Sequence, residues 1–314
     1  MVRFIDEHRA AYGVEPICRE LPIAPSQYFE AKRREREPDR VPARVKRDAQ
    51  LVTEIQRIHA ESGERYGARK AWKQLQLEQW QAARCTVERL MREQGLQGIR
   101  RGKSWKTTVA DEVAVKPLDR VDRQFKADHP DQLWVADFTY VPTWQGMVYV
   151  AFILDVYSRR IVGWRVAKHM RTDLVLDALE QAIWARGRPL GVTHHSDRGS
   201  QYLSIRYTER LAEAGFEPSV GSKGDSYDNA MAESVIGLYK TEVIKHQGPW
   251  RTFEAVEYAS LVWIDWYNQK RLHSAINYLS PAAFEAEYYE QLSESGIAAS
   301  LKSNGLLETR GDSD

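Results

Sequence analysis

The hydrophobic pattern of the chain changes near Pro130, and this change limits the folds that the chain can adopt. Before Pro130, apolar residues recur at the three- and four-residue spacing of amphipathic helices, with breaks at Gly and Pro. After it, runs of β-branched and aromatic residues predict strands, and helical spacing returns further on. The chain is therefore expected to hold an all-α part followed by a part that contains a sheet.

Residues 1–110 are expected to form consecutive short helices. The later helices follow the order helix, helix, turn, helix, which is typical of a helix-turn-helix whose last helix enters the major groove of DNA. The alternative is a small helical bundle whose charges are only solvated. The predicted helices are Ile5–Tyr12, Pro16–Leu21, Ser26–Arg36, Asp48–Ser62, Arg69–Leu77 and Thr86–Glu93, and the candidate DNA contacts are Arg84, Arg89, Arg92, Arg100, Arg101 and Lys103.

The stretch after Pro130 predicts a mixed sheet covered by helices on both faces, an α/β fold class. Three strands form an antiparallel meander, a helix follows, and a fourth strand lies parallel to the first. The predicted strands are Leu133–Val141, Met147–Val156, Arg160–Val166 and Gly191–His195, with an extended piece at Phe216–Val220. The predicted helices are Asp173–Arg186, a second near Ile205–Ala214, and a third from about Asn229 to Lys245.

Charge is distributed unevenly along the chain. The net charge is +1, but residues 1–127 hold 27 basic and 19 acidic residues, whereas residues 128–314 hold 18 and 25. A basic part joined to an acidic part indicates that one binds a polyanion and the other gathers carboxylates.

Several protein classes are disfavoured by composition. The longest apolar stretch, Met147–Leu154, has 8 residues, far short of the roughly 20 needed to cross a bilayer. Cys18 and Cys85 lie far apart and fit neither a disulfide framework nor a zinc site, and charged residues near the N-terminus leave no signal-peptide core. The expected protein makes no membrane contact and resides in the cytoplasm, associated with the nucleoid when bound to DNA.

Three acidic residues stand out by position. Asp137 interrupts an otherwise apolar strand, where an ionised carboxylate needs a charge partner or a metal. Asp197 follows the fourth strand, at the sheet edge where ligands bind in α/β folds. Glu233 lies within the first two turns of the last predicted helix of this part.

Such a trio suits phosphodiester chemistry with two metal ions. Three carboxylates and the attacked phosphate balance the charge of two Mg²⁺, and hard oxygen ligands select Mg²⁺ or Mn²⁺ over zinc. The alternative is that Asp197 caps a turn and Glu233 is a solvated helix residue.

Sequence motifs around these acids resemble a known family. Thirty-five residues separate Asp197 from Glu233, and Lys240 follows seven residues later, on the same helical face. This spacing resembles the DDE signature of retroviral integrases and insertion-sequence transposases. The surrounding segments resemble the second-frame transposase of the insertion sequence 3 family over nearly the whole chain; they are 195–202 (HSDRGSQY), 226–234 (SYDNAMAES), 267–275 (YNQKRLHSA), Ser280-Pro281, and 154–159 (LDVYSR).

The resemblance implies a fold, a reaction and residue roles. It implies an RNase H-like core. It also implies that Asp137, Asp197 and Glu233 are catalytic residues that hold two metal ions, either Mg²⁺ or Mn²⁺. Lys240 is implied to contact the end of the element's double-stranded DNA. The reaction implied is cleavage at the element's end followed by transfer of the freed 3′-OH to another phosphodiester, without a covalent protein–DNA intermediate.

The resemblance also implies partners. Its members work as a fusion of an upstream reading frame with this one, and residues 1–60 show no sustained heptad pattern of the kind that the upstream frame carries. The chain is therefore expected to act with the upstream-frame protein or as a fusion with it. Since two element ends must meet, a dimer or higher oligomer on DNA is expected.

Other candidate residues have two interpretations. Asp155 is expected to cap the turn after the second strand or to pair with Arg159, rather than to hold metal. The histidines His194 and His195 are proton-shuttle candidates or locally bonded. Asp228 is expected to be the N-cap of the last helix, and Asn229 either caps this helix or orients the carboxylates. Arg271 and His273 either pack on the core or contact phosphate.

The predicted domains follow these patterns. They are an N-terminal helical segment at 1–47, a helix-turn-helix domain at 48–110, a linker at 111–127, an integrase-like core at 128–246, a helical segment at 247–292 and a flexible tail at 293–314. Two other function classes remain open: a nuclease of the same fold that hydrolyses RNA–DNA hybrids, and a repressor that binds element ends without catalysis.

Overall fold

The computed structural model describes residues 1–37, 39, 41–100, 127–197, 201–202, 204–220 and 230–308, with the backbone alone at Val220 and at 295–308. The chain divides into two compact units, Met1–Gln97 and Gly98–Asp314. Apart from Ala127, the predicted linker at 111–127 lies outside the described residues, as do Arg101, Lys103, Asp228 and Asn229.

The first unit begins with three helices around a small core of their own. They are α1 (Val2–Tyr12), α2 (Val14–Glu20) and α3 (Pro25–Arg36). Ile5, Ile17, Cys18 and Tyr28 form the buried centre. The Tyr28 hydroxyl donates a hydrogen bond of 2.8 Å to Asp6, so the one polar atom at the end of this aromatic ring is satisfied.

The second part of this unit contains α4 (Ala43–Glu61), α5 (Ala68–Leu77) and α6 (Arg84–Glu93). Leu51, Ile55 and Ile58 lie one or two helical turns apart on α4, and all three are buried. Leu75 of α5 and Leu90 of α6 are buried with them. The predicted order of helix, helix, turn, helix is confirmed, and α4 starts five residues earlier than the pattern predicts.

The second unit is built on a five-stranded sheet in the order β3-β2-β1-β4-β5. Its strands are β1 (Leu133–Thr143), β2 (Gly146–Asp155), β3 (Ile161–Ala167), β4 (Thr193–Ser196) and β5 (Glu217–Val220). The first three are antiparallel, and β4 lies parallel to both β1 and β5. The meander and the parallel fourth strand are as predicted, and the extended piece forms the fifth strand.

Helices cover both faces of this sheet. On one face, α7 (Thr172–Ala185) and α8 (Ile205–Glu213) bury their apolar sides against Trp134, Ala136 and Ile153. On the other face, the Phe152 ring lies 5.0 Å from that of Tyr239 and 6.4 Å from that of Trp263. Adjacent strand residues point to opposite faces, so Phe152 and Ile153 each anchor a different helical layer.

The second helical layer contains α9 (Ala230–Tyr239), a π-helical turn (Lys240–Ile244), α10 (Lys245–Gln247) and α11 (Phe253–Gln269). The last helix, α12 (Pro281–Glu308), continues past residue 293, where the sequence predicts a tail. Buried Asn268 of α11 bonds both the N–H and the C=O of Ile161 at 2.9 Å, so α11 is fastened to β3 although the predicted core ends at residue 246. In the described ranges no helix is long and apolar enough to cross a membrane.

Gly163 of β3 allows α7 to approach the sheet closely. A Cβ atom at this position would lie 2.2 Å from the Ala178 carbonyl oxygen and 2.8 Å from the Ala182 Cβ. Both neighbours belong to α7, and one is backbone, so a rotamer change cannot relieve the clash.

We expect Gly163→Ala to destabilise the second unit by about 1–3 kcal/mol, because the added methyl forces α7 away from β3. Hydrogen exchange of the β2 and β3 amides in the full chain measures this loss. Arg165→Ala is the control on the same strand, since Arg165 is exposed and pairs with exposed Asp177. Unchanged protection in the Gly163→Ala variant would show that the helix does not need this close approach.

Candidate active site

Asp137 lies in β1 at the point where the strand leaves its parallel neighbour. Leu133–Ala136 are buried and pair with Thr193–Ser196 of β4, the last pair being Ala136 with Ser196. Asp137 is the next residue and is partly buried, with its carboxylate accepting a 2.8 Å hydrogen bond from the Phe138 N–H. The acid that interrupts the apolar strand therefore faces the end of the short strand β4.

Asp197 occupies the equivalent position on the neighbouring strand. It follows Ser196 as Asp137 follows Ala136, and these two preceding residues are paired in the parallel register. Parallel neighbours lie about 4.8 Å apart, and their carboxyl ends share one edge of the sheet. The predicted position of Asp197, just past the end of the fourth strand, is confirmed.

Glu233 comes from the other helical layer. It lies in the first turn of α9, whose buried residues Ala232, Val235 and Ile236 face the core. This helix packs against β1. Residues 221–229, which precede this helix in the sequence, lie outside the described residues.

The charges of the three acids act on one another. Burial raises the pKa of Asp137 to about 7, the negative charges of Asp197 and Glu233 add to the rise, and the Phe138 N–H opposes it. Burial and the Asp197 charge also raise the pKa of Glu233. The three predicted residues are therefore brought within electrostatic reach of one another.

The donor set suits a divalent cation. All three side chains offer carboxylate oxygens, the hard ligands that Mg²⁺ and Mn²⁺ prefer, and a cation would relieve the repulsion that raises the pKa of Asp137. In the part of the chain that the structure describes, no three His, Cys, Asp or Glu side chains already stand close enough to hold a metal ion. The fit to a divalent cation therefore rests on the chemistry of the three ligands and on the negative charge that they share.

Lys240 joins this group from the end of α9. Its positive charge lowers the pKa of both Asp137 and Glu233, which places its ammonium group near both carboxylates. The same ammonium lies 5.6 Å from the centre of the Tyr140 ring. Lys240 is the first residue of the π-helical turn. The α-helical face that its seven-residue spacing from Glu233 predicts therefore ends at Lys240.

The buried Asp155 has a structural role. Its carboxylate accepts hydrogen bonds from the N–H and the hydroxyl of Ser158, at 2.7 and 2.8 Å, and from the Asp131 N–H at 2.7 Å. These bonds close the turn between β2 and β3, as the capping interpretation predicts.

The two histidines of β4 are fully buried and bonded locally. Nε2 of His194 lies 3.1 Å from the Tyr207 hydroxyl, and Nδ1 of His195 lies 2.9 Å from the Ser219 hydroxyl. Burial, followed by the neighbouring His195, lowers the pKa of His194 to about 3. His194 is therefore neutral in the folded protein, which does not suit it to proton transfer near pH 7.

Tyr202 is a site neighbour that sequence reasoning did not single out. Its side chain is buried, its ring lies 6.2 Å from that of Phe138, and its pKa is raised by burial and by the charges of Tyr207, Asp137 and Asp197. Among the described residues its hydroxyl has no hydrogen-bond partner. The available signal was its position in the same motif as Asp197, five residues downstream.

Arg271 and His273 lie in the interior behind the π-helical turn. The Arg271 guanidinium donates to both carboxylate oxygens of Glu242, at 2.6 to 3.2 Å, and the Trp263 indole donates to the same carboxylate at 3.0 Å. The His273 ring packs 4.6 Å from that of Tyr267. Both side chains are at least 90% buried, which corresponds to the packing interpretation.

The candidate DNA contacts of the first unit differ in their surroundings. Arg89 pairs with Asp48 at 2.7 Å and with Glu93 at 2.9 Å, so it ties α6 to α4. Arg84 pairs with Glu88 one turn away, while Arg92 and Arg100 are exposed. The other two predicted contacts, Arg101 and Lys103, lie outside the described residues.

Comparison with protein families gives matches to both units. Residues 46–104 match the model of an HTH-like domain, and residues 127–226 and 214–281 match two models of the integrase core domain. Together with the mixed sheet, these matches define a polynucleotidyl transferase with an integrase-type, RNase H-like core, as the sequence predicts. The second core match ends well past residue 246.

Curated relatives narrow the class. The chain is 54% identical over 299 residues to the transposase for insertion sequence element IS629 of Shigella sonnei, covering 95% of this chain and 100% of that protein. It is 53% identical over 276 residues to a putative transposase for IS986/IS6110 of Mycobacterium tuberculosis, covering 86% and 98%. It is 32% identical over 284 residues to the transposase InsF for insertion sequence IS3A of Escherichia coli, covering 90% and 97%.

The chain belongs to the insertion sequence 3 family of transposases. It is therefore a DNA-binding enzyme of DNA transposition and recombination, and its integrase core implies dependence on a divalent metal ion. Among solved structures, the catalytic core domain of the integrase of HTLV-2 in complex with magnesium matches 51% of this chain and 99% of its own, with 17% identity and a TM-score of 0.42.

Stability is expected to fall on acidification because of His194. In the unfolded chain this imidazole takes up a proton near its ordinary pKa of 6.5, whereas in the fold its pKa is about 3. Between these values the unfolded state binds the extra proton, so the free energy of unfolding drops by about 1.4 kcal/mol for each pH unit below 6.5.

Urea unfolding of the full chain between pH 5 and 7 measures this dependence. The control is His194→Gln, which removes the titration but keeps a side chain that can bond the Tyr207 hydroxyl. An equal pH dependence in both proteins would contradict the assignment.

Proposed function

We propose that Asp137, Asp197 and Glu233 form the catalytic site of this transposase and hold its divalent metal, two ions of Mg²⁺ or Mn²⁺. The observation that carries the proposal is the parallel register of β1 and β4, which sets Asp137 beside Asp197, with the Glu233 charge acting on Asp137. Three carboxylates and one phosphate carry the charge that two divalent ions balance.

The carboxylates must be ionised to bind metal. With a pKa of about 7, Asp137 is partly protonated near neutral pH, and a bound cation would keep it ionised by replacing the proton as the compensating charge. A metal ion held by these carboxylates would supply activation of the attacking hydroxyl and stabilisation of the leaving oxygen. The reaction needs no nucleophilic side chain, since water and then the 3′-OH of the DNA are the attacking groups.

The reaction has two steps. In the first, water hydrolyses a phosphodiester at the element's end and leaves a 3′-OH. In the second, this 3′-OH attacks another phosphodiester, so one P–O bond forms as another breaks and no external energy source is needed. Lys240 binds a phosphate of the element's end next to the carboxylates, where its charge offsets their repulsion of the DNA.

DNA is selected by the first unit. We propose that α6 enters the major groove and that basic residues on and after this helix contact phosphates, namely Arg84, Arg92, Arg100, Arg101 and Lys103. In this arrangement Arg89 orients α6 through Asp48. The chain acts with its upstream-frame protein, or fused to it, and as a dimer or higher oligomer that holds two element ends.

The nuclease and repressor alternatives fit less well. A nuclease for RNA–DNA hybrids has no need of a helix-turn-helix-like domain that reads duplex DNA. A repressor would not need the acids at 137, 197 and 233, which cost stability by mutual repulsion.

Removing any acid of the site should abolish strand joining. Asp137→Asn and Glu233→Gln are expected to lower the rate of joining of labelled end DNA by more than about a hundredfold. Mutating a residue that only hydrogen-bonds a metal ligand already lowers activity by up to about a hundredfold, and these variants change the ligands themselves. Binding of the same DNA should remain. Asp177→Asn, at an exposed position on α7, is the control. Full joining by the Asp137→Asn or Glu233→Gln variant would refute the site.

The exposed Arg92 of α6 is the residue that tests the proposed DNA contact of the first unit. Arg92→Ala is expected to weaken binding to element ends and to reduce the slope of log K against log salt by about 1, the amount expected for one lost phosphate contact. Arg206→Ala, an exposed change on α8 in the second unit, is the control. A salt slope that stays constant in the Arg92→Ala variant would place this residue off the DNA.

A further inference from the structure

The β1–β2 hairpin presents aromatic side chains to solvent close to the candidate catalytic site. Tyr140 is 58% exposed, and Trp144, in the turn between the strands, is 70% exposed. Tyr140 lies on β1 three residues beyond Asp137, and Trp144 directly follows the end of this strand. Two aromatic rings that are more than half exposed, a few residues from the proposed catalytic Asp137, indicate a surface that binds a partner.

Each ring is paired with a cation from another part of the second unit. The Lys240 ammonium lies 5.6 Å from the centre of the Tyr140 ring, and the Arg251 guanidinium carbon lies 5.0 Å from the centre of the Trp144 ring. The segment 138–154 itself contains no charged residue, so this surface offers a polyanion cations and no repelling acids along the hairpin.

The turn is held in a fixed position. The Trp144 N–H donates to the Trp250 carbonyl oxygen at 3.1 Å, and the Thr143 hydroxyl donates to the Gly146 carbonyl oxygen at 2.8 Å. The Trp250 indole, itself buried, donates to the Ile244 carbonyl oxygen at 3.0 Å. A ring displayed on an anchored turn loses little conformational freedom when a ligand stacks on it.

We infer that Tyr140 and Trp144, with Lys240 and Arg251, form a stacking platform for unpaired nucleotides of the DNA strand next to Asp137. The inference rests on the proposed function, because Asp137 marks the reacting phosphodiester. From Asp137 to Thr143 the strand extends about 20 Å, the length of roughly six stacked nucleotides. Exposed rings receive base faces, and the cations beside them receive phosphates.

Unpaired nucleotides fit this surface better than duplex DNA or protein. In a duplex the base faces are covered by neighbouring bases, so an exposed ring gains stacking only from bases that have left the helix. Both rings have a cation beside them and residues 138–154 contain no acidic residue, a charge balance that suits a polyanion better than a protein surface of mixed charge.

The test compares two DNA probes bound by the full chain without divalent ions. One is a blunt duplex, and the other is the same duplex with an unpaired overhang of about six nucleotides, which matches the length of the platform. Trp144→Ala should weaken binding of the overhang probe about tenfold and leave the blunt probe unchanged, and Tyr140→Ala should act in the same direction. Trp144→Phe, which keeps a ring, should retain most of the affinity and verifies folding.

The chain offers a matched control in Trp184. This residue is 66% exposed and also has an arginine on its ring, with the Arg188 guanidinium carbon 4.3 Å from the ring centre, but it lies at the end of α7. Trp184→Ala should leave both probes unaffected. Arg251→Gln should lower the salt slope for the overhang probe by about 0.7, the value for one phosphate of a single strand.

Three results would overturn the inference. They are no loss of affinity in the Trp144→Ala variant, an equal loss on both probes, or a change of oligomeric state in sedimentation without any effect on DNA. None of these readouts needs catalysis. Failure of the proposed function would appear instead as strand joining by the Asp137→Asn variant, so the two hypotheses fail separately.

Discussion

The parallel pairing of β1 with β4 holds two like charges side by side, and the candidate active site depends on this pairing. Ala136 and Ser196 are partners in the register, so the acids that follow them must emerge at the same edge of the sheet. The repulsion between these acids favours separation. Burial of Trp134, Val135, His194 and His195 in the same two strands opposes it, because slipping the register would expose that surface to water.

The helical layer over this edge supplies both the third acid and the compensating charge. α9 carries Glu233 at its start and ends where the π-helical turn begins at Lys240. Within that turn, Glu242 is held by Arg271 and by the Trp263 indole in the interior. A buried carboxylate with these partners fixes the turn, because leaving either charge unpaired would be costly. Residues Trp263 and Arg271 therefore support the turn that begins at Lys240, next to the candidate active site.

A second buried ion cluster joins distant parts of the sheet unit. The Arg186 guanidinium at the end of α7 pairs with Asp131, just before β1, at 2.7 Å, and also with Glu285 of α12. Asp131 in turn donates its N–H to Asp155, which closes the turn between β2 and β3. The acidic excess of residues 128–314 thus includes several carboxylates with structural roles. Asp131, Asp155 and Glu285 join elements, and the acids at the sheet edge are left for the proposed metal.

The sequence by itself predicts the elements of this protein, the three acids and the family, because these depend on local spacing and short motifs. It does not decide which basic residues reach DNA. Arg271 and Arg92 are both arginines in basic stretches of the sequence. In the fold, Arg271 is buried and paired with Glu242, whereas Arg92 is exposed. It also leaves open the platform around Trp144, whose cation comes from Arg251, about a hundred residues away. Only the tertiary structure decides which of these side chains are buried and which are paired, because burial and pairing depend on contacts between segments that are far apart in the chain.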